Sequence, residues 1–156
     1  MPLKNIETPY PLIDADPHFR RVINNFRPSD YSVWAGTTAA FPGALLMMEQ
    51  ASPTYARRGL GTGLRLAGFL GAVGGFLFAY QRSSFRLWGV TENEREQEQA
   101  KADVEAGKVP GFGDSSLSSE MQGFAFRNSV NSQLSLAVLP WFNFVNHQYH
   151  GSTESE

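Results

Sequence analysis

Apolar residues are crowded into the middle third of the chain, and small residues recur inside them at a fixed interval. Gly59, Gly63, Ala67, Gly71, Gly75 and Ala79 fall at every fourth position. Leu60, Leu64, Leu66, Phe69, Leu70, Val73, Phe76, Leu77 and Phe78 lie between them. On a helix, residues four apart share a face, so the pattern predicts one stripe of small residues flanked by large ones. Glycine costs a water-exposed helix about 1 kcal/mol against alanine, which makes the run a poor soluble helix. In lipid, helices associate by close approach over small residues, and there the run makes sense. The stretch after Ser52-Pro53, to about Gln81, therefore reads as a membrane helix.

A second uncharged stretch precedes it. Tyr31 to Met48 holds no Asp, Glu, Lys or Arg. Its 18 residues are near the lower limit for a span. Gly36, Ala40 and Ala44 form a second small-residue ladder, and Pro42 is expected to kink the helix. Such a break is tolerated where neighbours cover the freed carbonyl. Glu49 to Arg58 is a polar connection, so the two stretches predict a helical hairpin. Arg65 lies one to two turns inside the second stretch, where an arginine can snorkel toward headgroups or pair with a carboxylate.

The flanks differ. Asp16-Pro17 resembles a helix start, followed by Phe19, Val22, Ile23 and Phe26 at helical spacing, with Arg20, Arg21 and Arg27 elsewhere on the wheel. This is a short amphipathic helix with a basic side, suited to a membrane surface. Pro28 ends it, and Ser29-Asp30 can cap the next. Thr91 to Lys108 reads as a charged, solvated helix. Val109 to Ser119 reads as a loop. Met121, Phe124, Ala125, Asn128 and Asn131 suggest a last helix. Leu134 to Val145 is apolar but broken by Pro140 and Asn143, too short and polar for a third span and better suited to an extended or interfacial segment. The expected architecture is an all-α membrane protein: residues 1–28 with the amphipathic helix, 29–82 as a two-helix transmembrane hairpin, and 83–156 as a mostly helical, soluble or interfacial tail.

Charge orients this arrangement. Arg20, Arg21, Arg27, Arg82, Arg86 and Arg95 flank one expected membrane face, against Arg57, Arg58 and Arg65 at the other. Tyr31, Trp34, Tyr80 and Trp88 would form an aromatic belt at the first face. By the positive-inside rule both termini face the cytoplasm or its equivalent, the mitochondrial matrix. Arg20, Arg21, Arg27, Arg82 and Arg86 converge there as candidates for an anionic phospholipid headgroup layer. Gly36, Ala40, Ala44, Gly63, Ala67, Gly71, Gly75 and Ala79 are the candidate helix-packing residues.

Candidate chemistry is sparse. The net charge of −2 and the absence of a basic cluster argue against nucleic acid. The 156 residues contain no cysteine, which removes disulfides and thiolate sites. Met1 to Phe19 lacks the apolar core of a signal, and Glu7, Asp14 and Asp16 spoil a presequence, so targeting information is expected within the chain. Gly59-x-Gly61-x-Gly63 has no preceding strand to make it a dinucleotide motif. His147 and His150 lack the further ligands a metal needs. His18 is expected only to hydrogen bond, and Asp14 and Asp16 are too close in sequence to form a facing acid pair on a helix. No active site and no cofactor are expected.

Two stretches carry a resemblance. Pro11-Leu-Ile-Asp-Ala-Asp-Pro-His-Phe-Arg-Arg-Val-Ile-Asn-Asn-Phe-Arg-Pro-Ser-Asp-Tyr31 and Leu139-Pro-Trp-Phe-Asn-Phe-Val-Asn-His147 resemble the NUXM or 21 kDa-subunit family. Its members are fungal accessory membrane subunits of mitochondrial NADH:ubiquinone oxidoreductase (complex I). The similarity runs from about Tyr10 to Gly151. It implies a two-span, non-catalytic subunit of the membrane arm in the inner membrane, without a redox centre, partnered by core and accessory subunits and supporting assembly and stability. The family supplies no catalytic residues. From the residues alone, a channel or protein-translocase component of the inner membrane is the rival reading, but it would favour more spans and a polar stripe, and here the only polar candidates within the spans are Thr37, Thr38, Thr62 and Arg65.

Overall fold

Among the described residues, five helices form where the pattern asks for them, though with different starts and stops. The computed structural model describes residues 7–53, 57–108, 115–130 and 140–149. The helices are α1 (Phe19–Asn24), α2 (Pro28–Ala51), α3 (Arg57–Leu87), α4 (Glu94–Glu105) and α5 (Ser119–Ser129). Among the described residues there is no strand. The chain forms two compact units: Phe26–Tyr80, and Met1–Asn25 with Gln81–Glu156. The first and last parts of the sequence thus belong to one body, and the boundary falls inside α3.

The central unit is a hairpin of α2 and most of α3. Pro28 opens α2 at a position where its missing N–H costs nothing. Asp30 Oδ2 accepts from the Arg27 amide at 2.8 Å, placing a carboxylate at the positive end of the helix dipole. Arg27, and not Ser29 or Asp30, is the cap residue. The helix runs on through Pro42 to Ala51. The pairing is antiparallel, as three contacts show. Leu45 approaches Gly63, Thr37 and Thr38 approach Gly71, and Trp34 approaches Gly75.

The two-span expectation is met only in part. α3 is the one described helix both long and apolar enough to cross a membrane, over Gly59–Leu87. α2 has the length, 24 residues, but Tyr31, Ser32, Trp34, Thr37, Thr38 and Pro42 dilute its apolar content. α3 also continues past Gln81 to Leu87. Its stop is glycine-coded: Gly89 sits at φ +73°, its N–H bonds Arg86 O, and Val90 N–H bonds Phe85 O. These are the two bonds of a Schellman cap.

The other unit gathers α1, α4, α5 and the segments around them. The N-terminal segment lies on the cap of α3: Tyr10 N–H bonds Gly89 O, and Ile13 and Asp14 N–H bond Leu87 O. A Cβ at Gly89 would lie 2.3 Å from Tyr10 O, so the close approach requires glycine as the positive φ does. α1 starts later than expected. His18 is its cap, with Nδ1 accepting from Arg20 N–H, because Asp16 is engaged elsewhere. Trp88 is buried, 2% exposed, and Tyr80 is buried too, so neither takes the expected place in an aromatic belt. α4 is shorter than the Thr91–Lys108 expectation. α5 turns Phe126 and Ser129 inward, leaving Met121, Phe124 and Asn128 exposed. Of the Leu134–Val145 stretch, residues 134–139 lie outside the described residues, as does His150.

Candidate functional site

Two kinds of site are built here, a helix seam in the hairpin and a buried polar network in the other unit. In the seam, glycine lets backbones touch. A Cβ at Gly71 would meet Thr37 O and Thr38 O at 3.0 Å, and one at Gly75 would meet Trp34 O at 2.8 Å. Trp34 Nε1 donates across the seam to Ala72 O at 2.8 Å. Thr37 and Thr38 hydroxyls donate to Val33 O and Trp34 O, one turn back. Each polar group named thus has a partner within the hairpin, which an apolar surrounding demands. Phe76 adds ring contacts to Phe26, Trp34 and Tyr80.

The eight candidate packing residues separate by helix. On α3, Gly71, Gly75 and Ala79 are buried, and Gly63 and Ala67 are half-buried. On α2, Gly36, Ala40 and Ala44 are exposed, and a Cβ at Gly36 would meet nothing within 4 Å. α2 meets α3 instead through Trp34, Thr37, Thr38 and Leu45. The stripe on α2 is turned away from the hairpin partner.

The arginines also separate. Arg20 and Arg82 are exposed and Arg27 half-buried. Arg21 pairs with the fully buried Asp14. Arg86 is buried with Glu96, Nε to Oε1 at 3.1 Å, and its Nη2 donates to Asn25 O at 3.1 Å. The Arg86 charge is therefore directed into the protein.

Asp16 is the centre of a second network. Its Oδ2 accepts from the Ser129 hydroxyl and from His147 Nε2, the latter at 2.9 Å. Tyr149 N–H donates to His147 Nδ1 at 3.2 Å. Because Nδ1 accepts, the ring proton sits on Nε2 and faces the carboxylate. Phe126 packs edge-on to His147, with centroids 5.3 Å apart. Serine, aspartate and histidine meet here, but not as a nucleophile needs. The Ser129 hydroxyl lies within hydrogen-bond reach of the Asp16 carboxylate and of Ala125 O, one turn back, and the Asp16 and His147 side chains are wholly enclosed. The chemistry available is a latch between N-terminal and C-terminal segments. Among the described residues, no three His, Cys, Asp or Glu side chains gather as metal ligands would.

The sequence reading missed these networks. The signal present was weak: two aspartates in Leu12-Ile-Asp-Ala-Asp-Pro17 and one histidine after an aromatic run. Neither says which distant residue answers it.

Comparison with known proteins divides the chain elsewhere, between residues 92 and 97. Residues 7–92 match the family described as NADH-ubiquinone oxidoreductase complex I, 21 kDa subunit. Residues 97–154 match the family of the C-terminal part of the NADH-ubiquinone oxidoreductase 21 kDa subunit. The NADH-ubiquinone oxidoreductase 20.9 kDa subunit of Neurospora crassa is 48% identical over 153 residues, covering 95% of this chain and 80% of that protein.

Proposed function

The chain belongs to the 21 kDa subunit family of NADH-ubiquinone oxidoreductase, complex I, and from that premise we propose that it is a non-catalytic accessory subunit of the membrane arm, supporting assembly and stability. Its place would be the mitochondrial inner membrane, with α2 and α3 both crossing and both termini in the matrix. The observation that carries the reading, beyond family membership, is the seam at Gly71 and Gly75, where α2 backbone lies within 3.0 Å of the position a Cβ would take. Such a seam supports a hairpin that enters the membrane as one piece, with α3 as the apolar member and α2 sheltered beside it. The arginine distribution supports the orientation. The exposed stripe Gly36, Ala40 and Ala44 is suited to close approach by a helix of a neighbouring core or accessory subunit. Anionic phospholipid, with cardiolipin as the candidate, would meet Arg20 and Arg82, the two exposed arginines beside the hairpin in sequence.

Catalysis is assigned to other subunits, because the Ser129, Asp16 and His147 side chains are buried, out of reach of a substrate. Native electrophoresis of detergent-solubilised mitochondria tests the reading. The chain should co-migrate with NADH dehydrogenase activity. Migration apart from that activity would overturn it.

A further inference from the structure

Residues 140–149 are turned inside out. The buried side chains include polar Asn143, 4% exposed, and His147, 3% exposed. The exposed ones include Trp141, 44%, and Phe144, 66%. The inversion is held in place. His147 is bound to Asp16, Asn143 O accepts from Phe19 N–H at 2.7 Å, and Asn143 Oδ1 accepts from Val145 N–H at 2.9 Å. Rotating the aromatics inward would break those bonds. Phe144 lies beside α1, its ring centroid 4.8 Å from that of Phe19, and its carbonyl is 3.2 Å from His18 Nε2. The next residue, Arg20, is exposed.

Within residues 8–25 and 140–149 the exposed charge has one sign. In residues 8–25 the acids are Asp14 and Asp16, both fully buried and engaged by Arg21 and His147. Residues 140–149 contain no acid. By contrast, α4 exposes Glu94, Glu98, Asp103 and Glu105. Only Asn25, Phe26 and Arg27 separate α1 from α2 in sequence.

We propose that Trp141 and Phe144, with Phe19 and Arg20, form a foot that inserts into the headgroup layer of an anionic lipid surface. This rests on the membrane reading above and adds a contact from the C-terminal part of the chain. Tryptophan and phenylalanine beside a cation suit that layer, where one side is apolar and the other wet. The foot fixes how deep the matrix-side body sits and holds lipid through Arg20.

The absence of cysteine allows a direct test. The full chain carrying Phe144→Cys, labelled with a nitroxide, is reconstituted into vesicles of phosphatidylcholine with cardiolipin. Collisions with oxygen, which concentrates in lipid, are compared with those of a water-soluble nickel chelate. Val73→Cys on α3 and Glu98→Cys on α4 serve as lipid and water references. The Phe144 label should favour oxygen. Arg20→Gln, or vesicles of phosphatidylcholine alone, should lower the docked-to-undocked ratio about fivefold, the effect of one basic residue at an anionic surface. A Phe144 label in water while the Val73 label is in lipid would overturn the foot and leave the membrane reading standing. A label shielded from both reagents would mean a protein contact and would also overturn it. A Val73 label in water would overturn the membrane reading and the foot with it.

Discussion

The hairpin and the body formed by the two ends of the chain solve burial in opposite ways. In Phe26–Tyr80, the tightest contacts are made by side chains that are missing. Gly71 and Gly75 let α2 backbone approach, and the Thr37 and Thr38 hydroxyls are answered one turn back. In the other unit the interior holds Asp14, Asp16, Arg86, Asn93, Glu96, Asn143 and His147. Several contacts there join residues far apart in sequence, such as Asn93 Nδ2 to Pro11 O or His147 to Asp16 across 131 positions. Dispersion at short range suits an apolar surrounding, where burial itself gains nothing. A water-facing body can draw on the hydrophobic effect and can specify a unique arrangement with paired polar groups. The comparison teaches that one chain of 156 residues carries two rules of cohesion, with the change of rule inside the single helix α3.

The comparison breaks first where a buried pair is halved. Arg86→Met removes the guanidinium that pairs with the enclosed Glu96 carboxylate. We expect a loss of about 3–5 kcal/mol, read by chemical unfolding of the detergent-solubilised chain with circular dichroism. The double change Arg86→Met with Glu96→Leu should recover most of that loss. A double variant as unstable as the single one would mean that the pair is not the unit of stability.

Overpacking the seam should come next. Gly75→Leu drives a branched side chain into Trp34 and should cost about 1–3 kcal/mol, seen as loss of a crosslink between positions 45 and 63, where only the Leu45 side chain lies near the Gly63 Cβ position. Gly36→Leu in the same isolated chain should leave that crosslink intact, because nothing lies within 4 Å of its Cβ position. If Gly36→Leu alone prevents incorporation into complex I, the α2 stripe is the outward face. Equal behaviour of the two variants in the isolated chain would remove the distinction between the faces.

The smallest effect sharpens the contrast. Trp34→Phe removes the donor to Ala72 O while keeping an aromatic ring. Hydrogen bonds between membrane helices average about 0.6 kcal/mol, so helix separation should shift only by that order. A loss of several kcal/mol would show that the hairpin, too, depends on a buried polar bond.

Helical periodicity, the small-residue ladder of α3 and the charge pattern of α4 are properties of neighbouring residues, and the sequence by itself determined them. It also determined the family, through matches along nearly the whole chain. Which side of α2 meets α3 was not legible, because Gly36, Ala40 and Ala44 share a face as regularly as Trp34, Thr38 and Leu45 do. Period alone cannot say which face has a neighbour. The fate of Asp16 was equally hidden. Locally, Asp16-Pro17 has the chemistry of a helix cap. Only the fold brings Ser129 and His147 to its carboxylate, and two hydrogen bonds inside an enclosed site outweigh one cap bond at a helix end. The same holds for Arg21 and Arg86, which look like headgroup ligands until Asp14 and Glu96 come within reach. Local spacing decides which residues a helix presents together. Only tertiary structure decides which charges are answered from within, because a partner's distance in sequence carries no information about its distance in space.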